Sequence, residues 1–162
     1  LSEFVYEATL PHGVTLVIEG ITDNTNRSFA EIRHLLTMYG AKIADHGSVL
    51  WNYQKIATIL VRQDDNVEKT PYEIELAIID AGAEDFAENE HEWIVETPFA
   101  RAELVRSALE HTGMRVGEMS HEYRASTLLV LDDSDAKIAE HIIDAINEHN
   151  DVQEVFSNMQ KG

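Results

Sequence analysis

The segment TDNTNRSFAEIR, residues 22–33, places a polar turn, a helix start and two arginines directly after a strand-like run. Ser28 and Glu31 have the spacing of a capping box, in which a hydroxyl satisfies an amide of the first turn and a carboxylate reaches back to the cap. The spacing therefore predicts a helix that begins at Ser28. Its apolar face and its glycine stop follow in the same stretch, at Phe29, Ile32, Leu35, Leu36, Tyr39 and Gly40.

Two amides and two guanidinium groups lie near the amino end of this predicted helix, at Asn24, Asn26, Arg27 and Arg33. Unpaired backbone amides and the helix dipole favour an anion there. We therefore predict that these residues hold a phosphate of RNA or DNA. The alternative is that the asparagines only shape the turn and the arginines pair with nearby carboxylates.

The 162 residues have room for one domain or two small ones, and a 44% share of apolar residues is ordinary for a globular protein. No apolar run approaches the length of a membrane span, and the chain begins with neither a methionine nor a basic, apolar leader. Cysteine is absent, which excludes disulfides and thiolate metal sites and fits a reducing compartment. We expect a mature soluble protein or a fragment in the cytoplasm, without a membrane partner.

The formal net charge is −18. Nucleic acids are polyanions, and their affinity for proteins comes largely from lysine and arginine that neutralise phosphates. We therefore expect these residues to bind naked DNA poorly. Solubility alone explains such acidity, and the alternative is a docking surface for basic proteins, ribosomal proteins included.

Between Lys55 and Tyr123 the predicted elements follow the order strand, helix, strand, strand, helix, strand. Proline at a first-turn position opens both helices, at Thr70-Pro71 and Thr97-Pro98. The predicted strands are residues 55–63, 84–87, 92–96 and 114–123, and the predicted helices are residues 70–82 and 97–113. This order is the ferredoxin-like split βαβ pattern.

The elements on either side of this block need partners outside it. Strands are predicted at residues 3–10, 14–19, 43–50, 126–131 and 152–156, and a further helix at residues 134–149. We infer an α+β fold with a ferredoxin-like domain, residues 52–124, inserted into a second, discontinuous α+β domain. That outer domain comprises residues 1–51 and 125–162.

Motifs spread along the whole chain resemble those of the YebC/PmpR-type regulators, the family that includes the mitochondrial translational activators of cytochrome oxidase. They are residues 22–33, Gly47-Ser48-Val49, Ala81-Gly82-Ala83-Glu84-Asp85, Thr97-Pro98 and the stretch DVQEVFSN at residues 151–158. Scattered matches in one order are more specific than any single motif. The resemblance implies a ferredoxin-like domain inserted into a second α+β domain.

The resemblance also implies a gene-expression regulator that acts by binding, either as a transcriptional regulator on DNA or as a translational activator at the ribosome. The family's basic, three-helix amino-terminal domain has no counterpart in these residues, so DNA contact is expected mainly through that missing domain. The acidity favours the ribosome or RNA as the partner of these two domains. The compartment is then the cytoplasm or, as an alternative, the mitochondrial matrix.

A function of a different class also fits the predicted fold. Ferredoxin-like domains serve as small-molecule sensors or oligomerisation modules, and the fold alone does not separate these uses from nucleic-acid binding. The sequence leaves the oligomeric state open.

A second basic strip is formed in the sequence by Arg101 and Arg106 on one predicted helix, with Arg115 and Arg124 beyond it. It is a further candidate for phosphate binding, although a solvated helix face also explains these arginines and is the commoner situation.

Metal binding and catalysis find little support in the sequence. It has eight histidines but no HExxH motif, and His141 and His149 lie too far apart around their helix to share an ion. It has no GxSxG motif and no phosphate-binding or dinucleotide-binding glycine loop. We expect no metal, no cofactor and no catalytic residue.

Overall fold

The computed structural model describes residues 1–160, and the chain divides into two compact units. One unit comprises Leu1–Gln54 and Tyr123–Gly162, and the other comprises Lys55–Glu122. The predicted α+β class is confirmed, because the described residues form two four-stranded sheets and four α-helices. The last two residues of the predicted segment 125–162 lie outside the described residues.

The strands and helices are numbered here in chain order. The strands are β1 (Ser2–Thr9), β2 (Thr15–Thr22), β3 (Lys42–Ile43), β4 (Tyr53–Arg62), β5 (Asp85–Asn89), β6 (Glu92–Pro98), β7 (Met119–Ala125) and β8 (Val152–Ser157). The helices are α1 (Thr25–Met38), α2 (Pro71–Asp80), α3 (Ala102–His111) and α4 (Asp133–Asn147).

The sheet of the Lys55–Glu122 unit has the strand order β5-β6-β4-β7. The first and third of its four strands therefore lie at the centre, as in a ferredoxin-like split βαβ fold. Alternate residues of a strand point to opposite faces of the sheet, and one face of this sheet packs against helices α2 and α3. The core on that face is buried and consists of Ile59, Val61, Trp93 and Val95 from the strands with Ile74, Ile78, Val105 and Leu109 from the helices.

The two predicted proline-led helix starts of this unit have different outcomes. Helix α2 begins at Pro71 behind Thr70, as predicted. The prediction that a helix starts at Thr97-Pro98 is wrong, because both residues belong to β6, where Pro98 pairs with Ile56 of β4. A 3-10 turn follows, and α3 begins at Ala102.

The sheet of the other unit has the order β3-β1-β2-β8, with antiparallel pairing throughout. Leu16 and Ile18 of β2 face helices α1 and α4 and form the larger core with their buried side chains. Val17 points to the opposite face, as strand alternation requires, and packs in a smaller cluster with Val49 and Tyr53. Helices α1 and α4 thus cover one face of this sheet.

Three predicted strands are shorter than expected or absent. The predicted strand at residues 43–50 is reduced to Lys42–Ile43, and the predicted strand at 114–123 begins only at Met119. Residues 126–131 form no strand, and Leu129 makes a single parallel bridge to Met159.

The carboxylate of Glu7 explains why the first of these strands stops early. This buried side chain accepts hydrogen bonds from the backbone amides of Gly47 at 2.7 Å, Val49 at 2.9 Å and Leu50 at 2.8 Å. Burial would raise the pKa of Glu7, but the three amide hydrogen bonds outweigh it and lower the pKa below its ordinary value. The amides of Gly47, Val49 and Leu50 are therefore directed to a side chain and not to a neighbouring strand.

Candidate functional site

Helix α1 begins three residues earlier than the predicted capping box. Asn24 is the N-cap residue, and its Oδ1 accepts the backbone N–H of Arg27 at 3.1 Å. The prediction that Ser28 caps this helix with Glu31 is therefore wrong. Ser28 lies inside the first turn, and its side chain is buried.

The hydroxyl of Ser28 is held by a residue from the other end of the chain. Its Oγ lies 2.5 Å from Oδ2 of Asp151 and 2.6 Å from Oγ1 of Thr22. A hydroxyl has one proton to donate, and the charged carboxylate is the stronger acceptor, so Ser28 donates to Asp151. We refer to Thr22, Arg27, Ser28 and Asp151 as the Asp151 cluster.

Gly20 allows the backbone of Asp151 to come this close to strand β2. A Cβ atom at Gly20 would lie 2.1 Å from the carbonyl oxygen of Asp151 and 2.2 Å from the ring of Phe4. The same carbonyl accepts the backbone N–H of Ile21 at 3.0 Å. A side chain at residue 20 would therefore displace the loop that carries Asp151.

The guanidinium of Arg27 is surrounded by carboxylates. Its Nη2 lies 2.9 Å from Oδ2 of Asp151, its Nη1 3.0 Å from Oδ1 of Asp23, and its Nε 3.1 Å from Oε1 of Glu31. Hydrogen bonds from Ser28 and then from Arg27 hold the pKa of Asp151 below its ordinary value. The side chain of Arg27 is half exposed, but its donors already have partners within the protein.

Asn26 and Arg33 are in a different situation from Arg27. They are seven residues apart, about two helical turns, and so lie on nearly the same side of α1. Both are exposed, and among residues 1–160 no carboxylate lies within ion-pair distance of Arg33. The four residues predicted to bind phosphate are thus divided into two pairs. Asn24 and Arg27 have partners at the helix start, whereas Asn26 and Arg33 form an exposed stripe.

A cavity of about 520 Å³ lies beside the Asp151 cluster. The ring of His149 is nearly buried at its edge, where Nδ1 accepts the backbone N–H of Asp151 at 3.1 Å and Nε2 lies 3.4 Å from Glu31. The lining is mostly polar and consists of Leu1, Ile21, Thr22, Asp23, Arg27, Glu31, Glu148, His149, Asn150 and Asp151. Sequence reasoning missed this site because its members come from both ends of the chain.

The second predicted basic strip does not lie within one unit. Arg101, Arg106 and Arg115 belong to the Lys55–Glu122 unit, whereas Arg124 belongs to the other unit. Arg106 forms ion pairs with Glu103 and Glu110 on its own helix, and Arg101 and Arg115 are exposed.

Within residues 1–160, no group of three or more histidine or acidic side chains is placed to hold a metal ion. In the same range, no helix is long and apolar enough to cross a membrane.

Residues 1–159 match the family described as the second and third domain of TACO1/YebC. A probable transcriptional regulatory protein of Thermoanaerobacter pseudethanolicus is 32% identical over 160 residues, which are 99% of this chain and 64% of that protein. One of Clostridium beijerinckii is 35% identical over 156 residues, 96% of this chain and 62% of that protein. The crystal structure of a conserved hypothetical protein from Aquifex aeolicus has a TM-score of 0.73 at 27% identity, over 98% of this chain and 65% of that one. The chain thus spans somewhat less than two thirds of the length of these relatives.

Proposed function

Since this chain belongs to the TACO1/YebC family, whose curated relatives carry the names of transcriptional regulators, we propose that it regulates gene expression by binding a ribonucleoprotein, foremost the ribosome. The observation that carries this proposal is the formal net charge of −18 together with the internal pairing of three arginines. Arg27, Arg62 and Arg106 each contact two or more carboxylates of the chain. Few cations are left to neutralise the phosphates of naked DNA.

A ribonucleoprotein offers such a chain two kinds of contact. Basic protein surfaces attract its carboxylates, and exposed phosphates remain within reach of its few unpaired donors. We assign the phosphate contact to Asn26 and Arg33, which are exposed on one side of α1. In this proposal, Asn24 and Arg27 shape the helix start on which that stripe lies.

The cavity beside Asp151 favours a second candidate function, the sensing of a small molecule. Its volume of about 520 Å³ is in the range of ligand pockets in proteins. Such a ligand would bind between α1 and the loop before β8.

Co-sedimentation with purified ribosomes, beside binding to unrelated DNA duplexes in the same salt series, tests the first proposal. We expect association with ribosomes near physiological salt and only weak, unspecific binding to duplex DNA. Tight, sequence-selective binding to a duplex under those conditions would contradict it, and so would a complete lack of ribosome association.

A further inference from the structure

Helix α2 has an apolar stripe on the side that faces away from its own core. Ile74 and Ile78 are buried against the sheet, whereas Tyr72, Leu76 and Ile79 are 67%, 40% and 58% exposed. These three residues follow one another at steps of four and three, so they are neighbours along one side of the helix. A surface helix normally has polar residues there, and contiguous apolar surface on a soluble protein marks a contact site. We call Tyr72, Leu76 and Ile79 the α2 stripe.

Carboxylates flank the α2 stripe on both sides. Glu75 is three residues after Tyr72 and four before Ile79, and Asp80 is four residues after Leu76. Glu75 also lies beside Glu88 of β5, and the interaction between the two carboxyl groups, by hydrogen bonding and by charge, raises the pKa of Glu88. Two carboxyl groups so close together at the surface are a place where an incoming cation relieves repulsion.

The helix that carries the stripe is held firmly at its start. Thr70 Oγ1 accepts the backbone N–H of Glu73 at 3.1 Å, and Glu73 Oε1 accepts the backbone N–H of Thr70 at 3.1 Å. Pro71 fixes the first helical position. The stripe is therefore presented on a preformed helix, which lowers the cost of binding.

From this geometry we propose that the α2 stripe docks an amphipathic helical segment of a basic protein, with apolar side chains against Tyr72, Leu76 and Ile79 and lysine or arginine beside Glu75 and Asp80. Packing of a helix along such a stripe is a common mode of peptide recognition. A second copy of this chain is the wrong occupant, because self-pairing would bring the same carboxylates together. The stripe is also small compared with the roughly 800 Å² per partner that a stable dimer buries.

This docking surface is separate from the Asn26 and Arg33 stripe and does not depend on the identity of the ribonucleoprotein. The probe for it is a labelled synthetic peptide of about 18 residues with leucine along one helical face and lysine beside it. The control peptide has the same composition in scrambled order, so that its charge is equal and its amphipathic face is lost. Fluorescence anisotropy at physiological salt gives the dissociation constant of each peptide.

The test variant of the protein is Tyr72→Ala with Ile79→Ser. The matched control is Leu104→Ser with Ile138→Ser, which removes two apolar side chains of similar exposure, 66% and 54%, from other helices. We expect the test variant to weaken binding of the amphipathic peptide by about tenfold or more, because buried tyrosine is a frequent anchor. The control variant and Arg33→Gln should bind like the wild type, and all variants should melt like it because the changed side chains face solvent.

Three results would overturn the proposal. The first is equal binding of the scrambled peptide or equal loss in the control variant, since either would show unspecific attraction to the acidic surface. The second is a lack of binding at millimolar peptide. The third is self-association in sedimentation equilibrium that the test variant abolishes, because the occupant would then be a second copy. If Arg33→Gln loses ribosome binding but binds the peptide normally, the two proposals concern different surfaces, and the failure of one is distinguishable from the failure of the other.

Discussion

Local side-chain caps close the amino ends of both helices, Asn24 at α1 and Thr70 at α2, but the first turn of α1 is also bound to a distant part of the chain. At α2, Thr70 and Glu73 satisfy each other's backbone amides within one turn. At α1, Ser28 and Arg27 both contact Asp151, which is 123 and 124 residues away. The start of α2 is therefore a local structure, whereas the start of α1 is part of the tertiary fold.

The different surroundings of the Thr70 and Ser28 hydroxyls explain why one bonds within its own turn and the other bonds to a distant residue. Thr70 is exposed, so its nearest backbone amide is its best partner. Ser28 is fully buried beside an ionised carboxylate, and a hydrogen bond to a charged group is stronger than one to an amide. A capping motif thus determines a helix start where water is the competing partner. It does not do so where a carboxylate from a distant part of the chain, here Asp151, competes for the hydroxyl.

Of the variants at the two helix starts, Ser28→Ala is expected to lower the stability of the protein most, because it removes a buried hydrogen-bond donor from the Asp151 carboxylate. We expect a loss of about 1–3 kcal/mol in the free energy of unfolding, measured in urea.

Asp151→Asn should also lower stability. Because the pKa of Asp151 is depressed in the folded state, its contribution is present above its unfolded pKa and is lost as the pH falls below about 4. The difference between wild type and Asp151→Asn should shrink there.

A double-mutant cycle tests whether Ser28 and Asp151 stabilise the fold through their contact with each other. Ser28→Ala and Asp151→Asn should be strongly non-additive, because each removes the partner of the other. If the two changes add, Ser28 and Asp151 do not stabilise the fold through each other, and the account of the α1 start is wrong.

A smaller effect is expected for Thr70→Ala, which removes the cap of α2. The loss should be about 1 kcal/mol, typical of an N-cap, and should be additive with Asp151→Asn because the two sites share no partner. Far-UV circular dichroism and urea unfolding of the single and double variants measure this. A loss as large as that of Ser28→Ala would abolish the contrast between the two helix starts.

The elements that the sequence predicts well depend on close neighbours. The cap at Thr70 needs only Glu73, and the β-branched run at residues 56–61 lies within strand β4 as predicted. The ferredoxin-like order of the Lys55–Glu122 unit follows from such elements in series. The motif matches identified the family for a similar reason, because they are read along the chain.

The features that the sequence did not reveal depend on carboxylates far away along the chain. Glu7 accepts three backbone amides of a predicted strand, those of Gly47, Val49 and Leu50. Asp151 accepts the hydroxyl of Ser28, which the sequence predicts to cap α1. The same distance explains the candidate site, where Arg27 and Arg33 look equivalent in sequence. Only the fold shows that Arg27 meets Asp151 and that Arg33 does not.

The proposed division between a structural Arg27 and a phosphate-binding Arg33 is tested most directly by Arg27→Gln and Arg33→Gln, each in melting curves and in ribosome co-sedimentation at several salt concentrations. We predict that Arg27→Gln melts earlier, because three carboxylates lose their cation, and that it binds ribosomes normally while folded. Arg33→Gln should melt like the wild type and bind more weakly, with a salt slope reduced by about one. If Arg27→Gln loses ribosome binding while folded, or Arg33→Gln binds like the wild type, the division is wrong.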